Sequence, residues 1–204
     1  SVLHLDSWPA VVLGIEDMAA KTEAKSGDLA IGQMVTYPNQ GVCLVEHIEK
    51  KQIGTSTLHV YALRVLSDNS TIFVPMENAA AVGIRPVISS MQFEVLLEYL
   101  GADFELISSD WKIRSREFGE KLQSGDVFDA ADVLKKLTFL SREKKLSFRE
   151  QNYLEKARFL IVSEISNAGF EGESVFEIKL EELVETACRI HRRIQPVVAV
   201  KSDH

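Results

Sequence analysis

Cysteine is nearly missing from this 204-residue chain: Cys43 and Cys188 are the only two, and they lie far apart. Two thiols cannot build a disulfide framework or a Cys-rich zinc site, and they point to a reducing, intracellular setting. Glycine is present, but not in the patterns that cradle nucleotides: neither G-x-x-x-x-G-K-[S/T] nor G-x-G-x-x-G occurs, and there is no H-E-x-x-H zinc helix. The five histidines are scattered. Long apolar runs are missing as well. The opening "SVLHLDSWPAVVLGIED" is short, interrupted and without leading Lys or Arg, so it fits neither a membrane span nor a signal peptide. Positive charge is the minority, 23 Lys and Arg against 30 Asp and Glu. A net charge of −7 argues against a protein that coats nucleic acid nonspecifically. These absences leave no cofactor, metal or small-molecule substrate to expect, and little support for an enzyme.

What is present is an ordinary globular composition, 46% apolar and 26% charged, in a chain long enough for one large domain or two small ones. Charge is unevenly spread: between Trp111 and Arg149 ten Lys or Arg face six Asp or Glu, whereas 163–185 is acidic. Residues 1–28 read as a disordered or non-native lead-in outside the fold, with Met18 a candidate natural start and Trp8 a bystander. In "GQMVTYPNQGVCLVEHIEKK" (32–51), apolar residues alternate on both sides of a break. Pro38 fixes φ, Asn39 tolerates left-handed geometry and Gly41 frees the return, which predicts a tight turn between two strands. "STLHVYALRVL" (56–66) is partly apolar on both faces, "SDNS" (67–70) turns, and "TIFVP" (71–75) ends at proline. Four or five short strands in under fifty residues predict a small Tudor/SH3-like β-barrel, an open sheet being the alternative that propensity leaves standing. His47 and His59 fall in strands and read as half-exposed strand residues.

From Glu77 the period becomes helical. Phe93, Leu96, Leu97 and Leu100 make one stripe, stopped by Gly101. A second helix spans about Trp111 to Gln123 and ends at Gly125; Asp126 caps a third, with Ala130, Val133, Leu134, Leu137 and Leu140 on its stripe. Ser147 with Glu150 forms a capping box for a fourth, and Ser174 with Glu177 repeats it for a fifth. The fold class is therefore α+β in two domains: a β-barrel at 29–88, an all-α helical bundle at 89–193, and a flexible tail at 194–204. Glu181, Glu182 and Glu185 read as a solvated helix face.

The motifs G-x-x-V-x-Y-P-x-x-G at 32–41, V-P-x-E-N at 74–78, V-G-x-R at 82–85 and S-G-D-V at 124–127, in this order, resemble the CarD/CdnL family of bacterial transcription regulators. That family shares its N-terminal module with the transcription-repair coupling factor, and the likeness runs from about residue 30 to 190. The resemblance implies an RNA-polymerase-interacting Tudor-like domain that docks on the polymerase β subunit largely by edge-strand contact. It also implies a helical domain that touches promoter double-stranded DNA at the upstream edge of the bubble. There a tryptophan wedges into the minor groove and stabilises the open complex. The polymerase-facing positions it implies fall on Lys51, Ile53 and Phe73; Phe73 stands where some relatives carry arginine. The wedge falls on Trp111, with Lys112, Arg114 and Arg116 as phosphate contacts and Ile113 in place of an arginine common in relatives. No reaction of its own is implied, and the location is the cytoplasm, at the nucleoid through polymerase.

Residue spacing alone leaves alternatives open. Positions 111, 115, 118 and 122 share a helical face, so on spacing alone Trp111 reads first as the start of a core stripe with Phe118 and Leu122. Lys51 reads as a solvated strand end. A polymerase-binding adaptor without direct DNA contact is the rival function. A repair-helicase fragment is excluded because no helicase motif follows the strands, and an AT-hook relative because R-G-R-P is missing.

Overall fold

A computed structural model describes residues 28–194. The lead-in with Trp8 and Met18, and the tail after Ile194, lie outside the described residues. The chain runs β1 (Met34–Tyr37), β2 (Gly41–Ile53), β3 (Ser56–Val65), β4 (Thr71–Pro75), a 3-10 turn (Met76–Asn78), α1 (Ala79–Val82) and β5 (Arg85–Pro86). Then follow α2 (Ser90–Gly101), α3 (Trp111–Ser124), α4 (Val127–Glu143), α5 (Phe148–Asn167) and α6 (Glu173–Ile194). No helix among the described residues is long and apolar enough to cross a membrane.

The predicted turn forms as its residues dictate. Asn39 has φ 63° and Gly41 φ 91°, and the Gln40 amide donates to the Tyr37 carbonyl at 3.0 Å. It returns β2 antiparallel to β1, pairing Val35 with Cys43 and Tyr37 with Gly41. Along β2 the register slips between Val45 and His47, a bulge that bends this long strand. The strand order is β4-β3-β2-β1-β5. This corrects the expected barrel: the sheet does not close, because β4 and β5 hold opposite edges and do not pair. β5 is only two residues long, Arg85 and Pro86 paired with Thr36 and Val35, and Pro86 has no amide to donate, so no ladder extends around to β4. The 3-10 turn and α1 cover the open side instead. Ala79 and Ile84 join Val35, Cys43, Val45, Tyr61, Leu63, Val65 and Val74 in the small core. His47 and His59 are exposed on their strands.

The helical unit follows the predicted stripes and caps. Phe93, Leu96 and Leu100 of α2, Phe118 and Leu122 of α3, and Val133, Leu134 and Leu137 of α4 share one core with Ala157, Ile161, Ile165, Phe176, Leu180, Val184 and Ala187. Asp110 and Asp126 accept first-turn amides, Ser147 and Glu150 form both halves of their box, and Gly125 ends α3 in the left-handed region. Two boundaries differ. Gly101 is the last residue of α2, and α6 starts at Glu173, which places Ser174 inside the first turn rather than at a cap.

Two lysines are buried without any warning from periodicity. Lys135 donates to the Tyr99 carbonyl at 2.6 Å, closing the end of α2, and burial pushes its pKa down to about 8. Lys136 lies 2.8 Å from Asp132 and 3.2 Å from Glu117, with Lys121 2.6 Å from Asp132, so these charges clasp α3 to α4. Both cysteines are buried, Cys43 inside the sheet core and Cys188 on the core-facing side of α6.

Candidate functional site

The Asp110 carboxylate accepts the amide of Lys112 at 2.8 Å, and α3 therefore begins at Trp111. A residue at the head of a helix can stand clear of the packed face, and Trp111 does: it is 63% exposed. The core stripe of α3 is Arg114, Phe118 and Leu122, so the reading of Trp111 as a core residue is overturned. Lys112 reaches to 5.8 Å from the indole centroid, within cation–π range. Arg116 is exposed and only loosely paired, 4.0 Å from Glu120. Ile113 is half exposed beside them.

Arg114 departs from its expected role. It is 4% exposed; its Nε and Nη2 donate to Glu150 at 3.1 and 2.8 Å, and Nη1 donates to the carbonyl of Ser108 at 2.7 Å. A guanidinium buried this deeply and held at all three nitrogens is not presented to a phosphate. Glu150 is the N3 residue of α5, so Arg114 ties the head of α3 to the head of α5. Burial opposes the charge on Glu150. The Ser147 amide, the Arg114 guanidinium and the Ser147 hydroxyl outweigh that penalty, Lys144 adds attraction, and the pKa falls from 4.5 to about 2.

Joining the two helix heads assembles a basic groove that sequence reasoning missed. Lys144 and Lys145 from the α4–α5 connection and Arg149 from the first turn of α5 line it with Trp111 and Ser115. Arg149 also borders the second concavity beside Trp111, with Lys112 and Arg116. All five of these cations are exposed. Phe148, at the head of α5, is 78% exposed and gives this surface a second aromatic. The run "REKKLSFR" (142–149) was the available signal. Its cations entered the charge count, yet nothing local says that they flank Trp111.

The other candidate surface lies on the sheet. β4 is an outer strand, and Phe73 on it is 46% exposed. Lys51 of β2 reaches across β3 to stand 3.3 Å from the centroid of the Phe73 ring. The structure thus brings Lys51 and Phe73 together. Ile53 ends β2, paired with Ser56 across the Gly54 turn.

Two family models match the chain: the CarD-like/TRCF RID domain over residues 29–88 and the CarD C-terminal domain over 95–180. The first covers the sheet unit, the second most of the helical one, in that order. The chain belongs to the CarD family. A relative from Bacillus subtilis (strain 168) named "Putative transcription factor YdeB" is 26% identical over 137 residues, 66% of this chain and 88% of its own length. The solution NMR structure of the 72-residue N-terminal domain of Myxococcus xanthus CarD shares 36% identity, covering 31% of this chain and 84% of that one, with a TM-score of 0.26. CarD membership marks the chain as a transcription regulator.

Proposed function

We propose that this protein docks on the RNA polymerase β subunit through the β4 edge of its sheet and presents Trp111 to promoter DNA, stabilising the open complex. The observation that carries the reading is the exposure of Trp111 at the head of a helix, ringed by Lys112, Arg116, Lys144, Lys145 and Arg149, within a CarD C-terminal domain. An apolar wedge flanked by phosphate-binding cations is the device by which minor-groove proteins unstack a base step. The outer β4 strand suits pairing with a strand of a partner, with the Lys51–Phe73 pair as its side-chain anchor.

A pull-down with core polymerase tests the docking half. Phe73→Ala is expected to weaken capture strongly, because it removes the ring under Lys51. Ile53→Glu is expected to abolish it by setting an unpaired charge in the contact. Wild-type capture by both folded variants would move the interface elsewhere.

The net charge of −7 favours a second reading, an adaptor that binds polymerase without touching DNA. The wedge reading accommodates that charge through tethering: docking raises the local concentration of duplex, so weak contacts suffice. Affinity for free duplex is accordingly expected to be poor and to fall steeply with salt, becoming measurable chiefly when polymerase is present. Tight binding by the isolated protein at physiological salt would contradict the tether. With Trp8 replaced, quenching of Trp111 fluorescence by promoter complexes separates wedge from adaptor.

A further inference from the structure

Three of the family motifs, distant in sequence, meet at one point between the sheet and the helices, away from both surfaces just described. Pro38 of the β1–β2 turn rests against Gly83 and Gly125. A Cβ on Gly83 would come within 3.2 Å of the Pro38 ring, and one on Gly125 within 3.1 Å, so a side chain at either site would press on that ring, and the positive φ of both favours glycine. At the other end of the same turn, a Cβ on Gly41 would meet the ring of Phe159 of α5 at 3.2 Å.

Arg85 closes the joint. Its backbone is held in the sheet, where it pairs with Thr36. From there its guanidinium crosses to the helices. Nε and Nη2 donate to the Gly125 carbonyl at 3.1 and 2.8 Å, while Nη1 and Nη2 grip the Glu164 carboxylate at 2.7 and 2.9 Å. Glu164, on α5, also accepts the Ile88 amide at 2.9 Å and is 3% exposed. A bidentate pair of this kind fixes angle as well as distance. Two packed units would otherwise be expected to move relative to one another. A carboxylate this deep serves neither candidate surface; its partners are Arg85 and the Ile88 amide.

We propose that Arg85, Glu164 and Pro38 are positioning residues that lock the sheet to the helical unit, holding the β4 edge and Trp111 at one fixed span and angle. The lock turns docking at one surface into placement at the other; without it, the helical unit is tethered only as a flexible linker would tether it. Its consequence for transcription rests on the function proposed above, but its existence does not.

The test uses the full chain carrying spin labels at Thr55→Cys, on the β2–β3 turn, and Gln123→Cys, on α3, both exposed positions. Wild-type background is expected to give one narrow distance distribution. Arg85→Ala/Glu164→Ala, which removes both charges and leaves no orphaned carboxylate, is expected to broaden it about twofold and to shorten open-complex lifetime about fivefold, with helical circular dichroism and polymerase capture retained. If that variant loses its helical signal, Glu164→Gln, which keeps the side-chain shape, carries the same comparison. A distribution as narrow as wild type in a folded variant, or a broad one in wild type, overturns the lock. A broadened distribution with unchanged lifetime, where Trp111→Ala does shorten it, overturns the positioning role. Should Trp111→Ala itself change nothing, the wedge reading has failed, and the distance distributions alone decide the joint.

Discussion

Trp111→Ala is expected to shorten the lifetime of promoter open complexes roughly ten- to hundredfold while leaving the thermal melt and polymerase capture as in wild type. The magnitude follows from the loss of one base–aromatic stack, on the order of 1–3 kcal/mol, made only in the bent or melted state. The unchanged melt follows from the 63% exposure of the indole, whose truncation opens no cavity in the core of Phe118 and Leu122. Decay of preformed open complexes and a melting curve on the same variant check both halves. Faster decay with an intact melt supports the wedge. Unchanged decay removes Trp111 from the mechanism, and a collapsed melt makes it a structural residue.

Arg114→Ala should do the opposite. Its guanidinium and Glu150 are both buried, and removing the guanidinium leaves Glu150 with Ser147 and the exposed Lys144 as partners, at a cost of about 1.5–3 kcal/mol for the lost charged hydrogen bonds. For a helical unit of this size, that lowers the melting temperature by roughly 6–12 °C. Arg116→Ala, at an exposed cation, should leave the melt alone and reduce the salt dependence of DNA binding by about one phosphate contact. The pair is also acid-sensitive. Because the folded pKa of Glu150 lies near 2, below its ordinary 4.5, the stabilisation is complete above pH 4.5 and is lost as pH falls toward 2. The gap in melting temperature between wild type and Glu150→Gln should therefore narrow steadily across that window. A gap independent of pH would show that the ionised form of Glu150 contributes nothing to the fold.

Those two variants also mark where the sequence was readable. Two helix heads announced themselves locally, since Asp126 and the Ser147–Glu150 box cap as read and capping involves only residues two or three apart, whereas the same pattern at Ser174 and Glu177 falls inside α6. The strands and the Pro38 turn were legible for the same reason. The face of α3 was not. Spacing from Phe118 and Leu122 admits either 111 or 114 at the top of the stripe, and an arginine is the less obvious choice for burial. What decides it is Glu150, 36 residues away, together with the carbonyl of Ser108, and no periodicity reports a partner at that distance. Lys135 and Lys136 were hidden likewise, since a lysine is read as exposed until its acceptors are known. Closure of the sheet depended on whether two short edges found each other, a long-range question that strand propensity does not address. Lys144, Lys145 and Arg149 were visible as charge but not as neighbours of Trp111.

The burial of both cysteines has a chemical consequence. Burial, with a smaller contribution from Asp68, pushes the Cys43 thiol up to about 11, and burial raises Cys188 as well. Thiolate is the form that attacks alkylating agents and peroxide, and at neutral pH neither sulfur supplies it or meets solvent. The native sulfurs are therefore inert to oxidants and to maleimides alike. A single cysteine introduced on the surface becomes the one reactive thiol in the folded chain, with no need to delete the two that evolution left inside.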